Sequence, residues 1–437
     1  MARSSVDATR PPSLLLVTTC WWASLARLAQ VLQEARCRVS VLCPPGHAAR
    51  AASITAVLDH DPIHPVRRLS RVIAHVQPTL VLPGDDRSVG HLHKLYQTGS
   101  SAERELIARS LGEPEGYRVS ASRVRFLEAA AQVGMTTPAG MSINTVADLR
   151  SWMARVEPPW VLKVDGASGG DGVRITSCPQ AAEADFHQLR RGTTLPFALK
   201  RLVINQDGFP LGDCLTKAPP ATSAQRHIQG RRGDLAMVCR DGEMLGALVV
   251  EAVACNGVTG PSTIVQVVDR PELVAAAGRL ARLLRLSGFV GLDFMVDDAG
   301  TAFVIEMNPR ITPLCNIQLA DGRDLIGAFI RSLTGREVTP RNPAPAALIA
   351  HFPAAWLWNS ADERLPLCYQ DIPHDNPALL AAMLQTPWPE SRPLVRSFAA
   401  LRRCFGSAVS RSRLNQGTHG AAAITPRPAG QRMPQPS

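Results

Sequence analysis

Lysine is almost missing from this chain. Four of its 47 Lys and Arg residues are lysine, at positions 94, 163, 200 and 217, and the rest are arginine. A lysine placed with such economy is worth locating, and Lys163 stands just ahead of a glycine-rich loop. The ten cysteines form no CxxC pair, which removes zinc-ribbon and thioredoxin-type sites and reads as scattered reduced thiols of a cytoplasmic protein. No stretch reaches the roughly 18 uncharged apolar residues of a bilayer-spanning helix, so no membrane association is expected. Acidic residues are absent after residue 390, where eight arginines account for eight of the ten excess positive charges. The body of the chain is therefore close to neutral. Its basicity belongs to a tail, and nucleic acid is not an expected partner.

What is present suits a soluble globular protein. The 437 residues are 45% hydrophobic and 19% charged, enough for two or three cored domains. Residues 13–26 (SLLLVTTCWWASLA) imitate a secretory leader, but Thr18 and Thr19 interrupt the apolar run. An amphipathic pattern and the strand-like RVSVLCP follow directly. Strand 13–19, helix 21–36, strand 38–44 and strand 78–84 predict a parallel α/β unit. Its last strand ends in Gly84-Asp85-Asp86, at the edge where such sheets place ligands. The pair also suits a helix cap, the simpler of the two readings.

Further along, helix 120–134 has Ser122 as a candidate cap and ends at Gly134, and helix 145–155 precedes strand PPWVLKVD. The glycine loop 166–172 and strand VRITS come next. Because the lysine precedes the glycines and a strand follows them, both the P-loop and the Rossmann loop are excluded, since each leads into a helix. A β-hairpin flap over a phosphate chain remains, beside the plainer reading of a flexible turn. Residues 197–260, including FALKRLVI, read as antiparallel sheet with an Asp241-Gly242 hairpin turn. A helix over 271–287 then leads to GLDFMVDDAGTAFVIEMNPR. Pairing these last strands through DDAG sets Asp293 opposite Glu306, with Asn308 and Arg310 on the same face. Two facing carboxylates and an amide oxygen suit Mg²⁺ held with substrate phosphates. Arg310 suits phosphate or carboxylate. A solvated acidic face is the alternative, disfavoured by the apolar neighbours Leu292, Phe294, Ile305 and Met307.

Together the lysine–glycine hairpin, the Asp-Gly hairpin and above all GLDF…IEMNPR resemble the ATP-grasp superfamily, which includes carboxylate–amine and carboxylate–thiol ligases and the domain of carbamoyl phosphate synthetase. The resemblance spans roughly residues 120–335, about half the chain. It implies an N-terminal parallel α/β domain (1–115) and a two-subdomain α+β ATP-grasp unit (116–336, flap 161–173, metal hairpin 289–310). A C-terminal accessory segment (337–404) and a disordered Arg/Pro/Gly-rich tail (405–437) would follow. It further implies ATP and Mg²⁺ (or Mn²⁺) as cofactors. Lys163 would contact the phosphates, Ser168, Gly169 and Gly170 would close over them, and Asp293, Glu306 and Asn308 would carry the metal. Gln225, Arg226, His227 and Ile228 would line the adenine pocket, largely through backbone groups. Arg123 takes the place of the family's lysine before the flap, and Asp234 falls two residues late for the ribose-binding acid. Catalysis would rest on Lys163 and Arg310. The expected activity is ATP-dependent activation of a small-molecule carboxylate as acylphosphate for attack by an amine or thiol. A catalytically silent ATP-binding regulatory module is the alternative, and a homo-oligomer is compatible with either.

Overall fold

The computed structural model describes residues 11–165, 172–192, 194–205, 211, 214, 220–257, 260–338, 343–345 and 347–385. Ser168, Gly169, Gly170 and the arginine-rich tail lie outside the described residues.

Three sheets organise the chain. The first is parallel, in the order β3-β2-β1-β4, from β1 (Ser13–Val17), β2 (Arg38–Cys43), β3 (Ala56–Asp59) and β4 (Leu80–Pro83). A parallel sheet is covered on both faces, so its central strands are continuous apolar runs. Leu14, Leu15, Leu16 and Val17 are all fully buried. Helix α1 (Ala23–Glu34) packs on one face, while α2 (Pro65–Val76), α3 (Asp86–Thr98) and α4 (Ser101–Leu111) pack on the other. Strand β3 was not anticipated, because AVLD is short, half-exposed and lacks a clear period.

The second sheet is four-stranded and antiparallel, β5-β8-β6-β7, from β5 (Gly140–Ile143), β6 (Trp160–Val164), β7 (Val173–Thr176) and β8 (Thr222–Arg226). Its apolar face, with Ile143, Trp160, Leu162 and Ala224, packs against helices Val146–Met153 and Pro179–Arg190. Period-two alternation sends Val161, Lys163, Ser223 and Gln225 to the opposite face. The expected strand FALKRLVI is instead part of a helix, Leu195–Asn205. A short apolar run fits both periods, and here length and helix-forming Leu, Ala, Lys and Arg decide.

The third sheet has six strands, ordered β13-β12-β9-β10-β11-β14. They are β9 (Arg231–Arg240), β10 (Glu243–Cys255), β11 (Ser262–Val267), β12 (Gly288–Val296), β13 (Ala302–Asn308) and β14 (Leu348–Ala350). The Asp241-Gly242 turn has positive φ at both positions, 52° and 87°, as a tight two-residue hairpin requires. Along β9, Leu235, Met237 and Cys239 enter one core with helices Arg123–Gln132 and Pro271–Leu284. Ala236 and Val238 enter another with helix Leu325–Thr334 and α1. The C-terminal segment contributes the edge strand β14 and helix Pro377–Leu384, whose Leu379 and Met383 share the core of α1. Among the described residues, no helix is long and apolar enough to cross a membrane.

Candidate functional site

The site grows from one row of the six-stranded sheet. Register places Asp234 of β9 beside Asp293 of β12, and Asp293 beside Glu306 of β13. The three carboxylates therefore stand on one sheet face, as the hairpin pairing of Asp293 with Glu306 predicted. That face is apolar further along, where Ala236, Val238 and Phe289 are buried. Asn308 pairs with Gly291 in the adjoining row. A Cβ on residue 291 would meet Thr312 Cγ2 at 2.7 Å, so a larger residue there would have to displace Thr312. The loop after β13 crosses the strand at this point.

Electrostatics set the carboxylates apart. Burial raises the Asp293 carboxyl well above its ordinary range, and the like charges of Asp234 and Glu306 raise it further, against the pull of Arg310 and Lys163. Burial raises Asp234 also, opposed by Arg232 and by the Ser262 hydroxyl, which donates to Asp234 Oδ2 at 3.4 Å. Lys163, 6% exposed, reaches toward this row from β6, and burial lowers its ammonium to about 8 despite Glu306. A cluster of buried like charges is destabilising unless cations share it.

Protein cations do share it. Arg123 donates from Nη2 to Glu306 Oε1 at 2.7 Å and from Nη1 to Asp165 Oδ1 at 3.3 Å, and also bonds the Val164 carbonyl. Asn308 Nδ2 donates to Asp293 Oδ1 at 2.9 Å. Arg310 Nη2 donates to Asn308 Oδ1 at 3.1 Å and its Nε to Asp86 Oδ1 at 2.8 Å, while its guanidinium lies 5.0 Å from the Trp22 ring. Arg310 thus binds the parallel sheet as well as Asn308. Of the two acids after β4, Asp85 is the cap, with a reciprocal Ser88 bond, and Asp86 is not. Ser122, by contrast, occupies the cap position of its helix without a side-chain capping bond.

Facing the carboxylate row, β6 and β8 present Lys163, Ser223 and Gln225. Ser223 and Gln225 are each 2% exposed, yet among the described residues Ser223 Oγ and Gln225 Nε2 meet no hydrogen-bonding group. Buried polar atoms without partners are rare and costly, so this face is built for something that supplies acceptors. The backbone N–H groups of Arg226 and His227 are engaged by the Ala139 and Pro159 carbonyls at 2.8 and 3.1 Å. Arg226 turns its side chain over Phe303, and Ile228 is buried. In this segment the Gln225 side chain is buried on the same sheet face as Lys163 and Ser223. Sequence reasoning did not single out Ser223, Asp165 or Arg232, and it named Asp86 only within the Gly-Asp-Asp turn at the edge of the parallel sheet. Ser223 was within reach, two residues before Gln225 on one strand. The others depend on contacts between distant segments.

Among the described residues, no three His, Cys, Asp or Glu side chains are arranged to hold a metal ion by themselves. Asp293 and Glu306 suit instead a cation that brings its own phosphate oxygens, the usual arrangement for Mg²⁺, while the Asn308 oxygen is taken by Arg310. The repelling acids and the unpartnered donors opposite them fit a metal–phosphate group in charge and in hydrogen-bonding character.

Comparisons with known proteins agree with this geometry. Residues 214–313 match the family described as the ATP-grasp domain. No curated protein sequence matches the chain. Among solved structures, the biotin carboxylase domain of Hydrogenobacter thermophilus 2-oxoglutarate carboxylase, in complex with MgADP, ADP and bicarbonate, superposes with a TM-score of 0.53 at 14% identity, covering 76% of this chain and 71% of that one. An N5-carboxyaminoimidazole ribonucleotide synthetase in complex with ADP gives 0.54 at 14% identity, covering 78% and 81%. An L-amino acid ligase from Bacillus licheniformis gives 0.50 at 13% identity, covering 74% of each. Residues 214–313 thus resemble the ATP-grasp domain, and the chain shares the fold of these solved structures.

Proposed function

We propose that this protein is an ATP- and Mg²⁺-dependent ligase that activates a small-molecule carboxylate for attack by an amine or thiol. One observation carries the reading. A buried lysine and two unpartnered donors on one sheet face a row of mutually repelling carboxylates on another. A nucleotide with its divalent cation supplies what each side lacks, acceptors for Lys163, Ser223 and Gln225 and positive charge for Asp293 and Glu306. The similar structures, among them an MgADP complex, an ADP complex and an amino acid ligase, point the same way.

In the proposed reaction a carboxylate oxygen attacks the γ-phosphorus and ADP leaves. The nucleophile then attacks the acyl carbon, expels phosphate and loses its proton to water. The metal, when bound, neutralises phosphate charge between Asp293 and Glu306. Lys163, whose desolvated ammonium is not fully committed elsewhere, holds phosphoryl oxygens, and Arg310 orients Asn308. Asp234 is proposed as part of the acidic row, and the ribose contact then falls to other groups. Ser168, Gly169 and Gly170 are proposed to cover the phosphates. A silent nucleotide-binding module is the second reading, favoured by the engagement of Arg310 with Asp86 and Asn308 and of Glu306 with Arg123.

Calorimetry with ATP and Mg²⁺ tests the nucleotide site. The native chain and Lys94→Ala bind alike, whereas Lys163→Ala loses on the order of 100-fold, as expected for a charge-assisted phosphate contact. Absence of binding by the native chain, or equal effects of the two substitutions, ends the proposal. Phosphate release with a panel of amino acids separates the readings, since silence despite intact binding selects the module.

A further inference from the structure

Asp86 is remote in sequence from the metal hairpin, 224 residues before Arg310, and belongs to a different sheet. It opens α3 just after β4, at the point where the parallel sheet reverses its strand order between β1 and β4. Doubly wound sheets bind ligands in that crevice. Its carboxylate is nevertheless the first member of an unbroken chain of hydrogen bonds into the carboxylate row. Arg310 Nε donates to Asp86 Oδ1 at 2.8 Å, Arg310 Nη2 to Asn308 Oδ1 at 3.1 Å, and Asn308 Nδ2 to Asp293 Oδ1 at 2.9 Å.

The chain has only one sense. A guanidinium can only donate, so the Asn308 oxygen must turn to Arg310 and its NH₂ to Asp293. The position of Arg310 therefore fixes the amide. Three further contacts hold Arg310 in place: its Nη1 donates to the Ile311 carbonyl at 3.3 Å, Trp22 lies under the guanidinium at 5.0 Å, and Ile311 N–H donates to the Pro83 carbonyl at 2.9 Å. Outside the proposed metal carboxylates, Asp86 is the larger opposing charge on Arg310 and the one that bonds it, and Asp85 is the smaller. Arg310 and Asp86 are both largely sheltered, with side chains 11% and 25% exposed. Their attraction is therefore weakly screened.

We infer that Asp86 is a positioning residue, which keeps the Arg310 charge on the parallel sheet and so leaves Asp293 and Glu306 to the cation. Without that carboxylate, the guanidinium is drawn to the nearest remaining acids, Asp293 among them, and competes with the metal there. Asp86 touches neither nucleotide nor metal in this account. It acts through Arg310, and the inference rests on the cleft being a metal–nucleotide site.

The test is a Mg²⁺ titration of the full-length protein at fixed ATP, followed by calorimetry, with Mn²⁺ binding read in parallel by electron paramagnetic resonance. Asp86→Asn raises the half-saturating metal concentration about tenfold, the usual scale for losing a group that orients a metal ligand. Asp86→Glu restores it to within a few-fold. Asp61→Asn, a neighbouring acid at the same sheet edge that bonds only its own loop, leaves it unchanged. In an Arg310→Met background the further change Asp86→Asn shifts nothing, because the pair acts as a unit. That double variant leaves neither charge unpaired, so it remains informative if Asp86→Asn alone folds poorly. Unchanged metal dependence in Asp86→Asn, or an additive effect in the Arg310→Met background, overturns the inference. If the native chain binds no ATP at any Mg²⁺ concentration, the reading of the site as a nucleotide site fails instead.

Discussion

Asp85 and Asp293 are aspartates in two sheets, and their surroundings treat the negative charge in opposite ways. Asp85, 2% exposed, accepts from Thr18 Oγ1 at 2.8 Å, Thr19 N at 2.5 Å, Thr19 Oγ1 at 3.0 Å and Ser88 N at 2.9 Å. Every neighbour there is a donor, and two loops are tied together by one carboxylate. Asp293 accepts from the Asn308 amide at 2.9 Å and stands beside Asp234 and Glu306, whose like charges and its burial outweigh the pull of Arg310 and Lys163. One acid completes the fold, while the other is left in a position the fold alone does not favour. An acid whose surroundings oppose its charge is a candidate for function, and an acid whose surroundings satisfy it is not.

The largest expected effect that tests this contrast is at Asp85. Asp85→Ala removes a helix cap and leaves buried donors on Thr18 and Thr19 without acceptors, so it costs about 3 kcal/mol in urea unfolding. A cost below about 1 kcal/mol would show that the network is incidental and erase the contrast.

Part of this was readable in the sequence. The apolar runs SLLLV and RVSVLC leave little choice but buried parallel strands, and counting from the DDAG turn brings Asp293 to within one residue of Glu306, with a register shift between Asp293 and Phe294 completing the pairing. The helix Leu195–Asn205 was not readable, because its apolar stretch has no period that excludes a strand. Neither was the place of Asp234. Its neighbour Asp293 comes from β12, a strand that pairs with β9 across the whole intervening hairpin and helix. Local pattern sets which face a residue takes, whereas the partners on that face come from topology. Asp86 is the plainest case. As a member of a Gly-Asp-Asp turn it looks like a cap, and only the tertiary structure hands it to Arg310.

Buried histidines make the fold sensitive to acid, two of them in the parallel-sheet region and His351 beside the six-stranded sheet. His47 and His60, 2% and 7% exposed, are held neutral, with burial lowering both to about 4. Their folded pKa values lie below the unfolded value, so stability is whole above about pH 6.5 and is lost as pH falls toward 4. At pH 5 each residue is expected to cost roughly 2 kcal/mol relative to pH 7.5. Urea midpoints at the two pH values measure it, and His47→Gln flattens the dependence. A midpoint that stays constant between pH 7.5 and 5 would contradict the neutral burial of these rings.

At Asp293 the expected sign reverses. Asp293→Asn keeps the size and the acceptor for Asn308 but removes a charge that Asp234 and Glu306 oppose. Without nucleotide and metal, at pH 8, it is expected to stabilise the protein by about 1 kcal/mol, the scale of one pKa unit, while metal-dependent ATP binding is lost. If Asp293→Asn destabilised the chain as Asp85→Ala does, the two acids would be equivalent and the argument for a site at Asp293 would fall.

Ser223 gives the smallest effect. Its hydroxyl is buried and meets no hydrogen-bonding group among the described residues, so Ser223→Ala discards no bond there and relieves a desolvated oxygen. The resting stability should change by no more than a few tenths of a kcal/mol, in the stabilising direction. Lys163 lies directly across the strand pair from it, on the same face. A group that approaches Lys163 therefore also approaches the Ser223 oxygen, and Ser223→Ala should weaken ATP binding about fivefold, the worth of one neutral hydrogen bond. The stability measurement and the calorimetry must move in opposite directions. Were both to fall together, Ser223 would belong with Asp85 as a part of the fold, and the unpartnered face of the four-stranded sheet would lose its claim to a ligand.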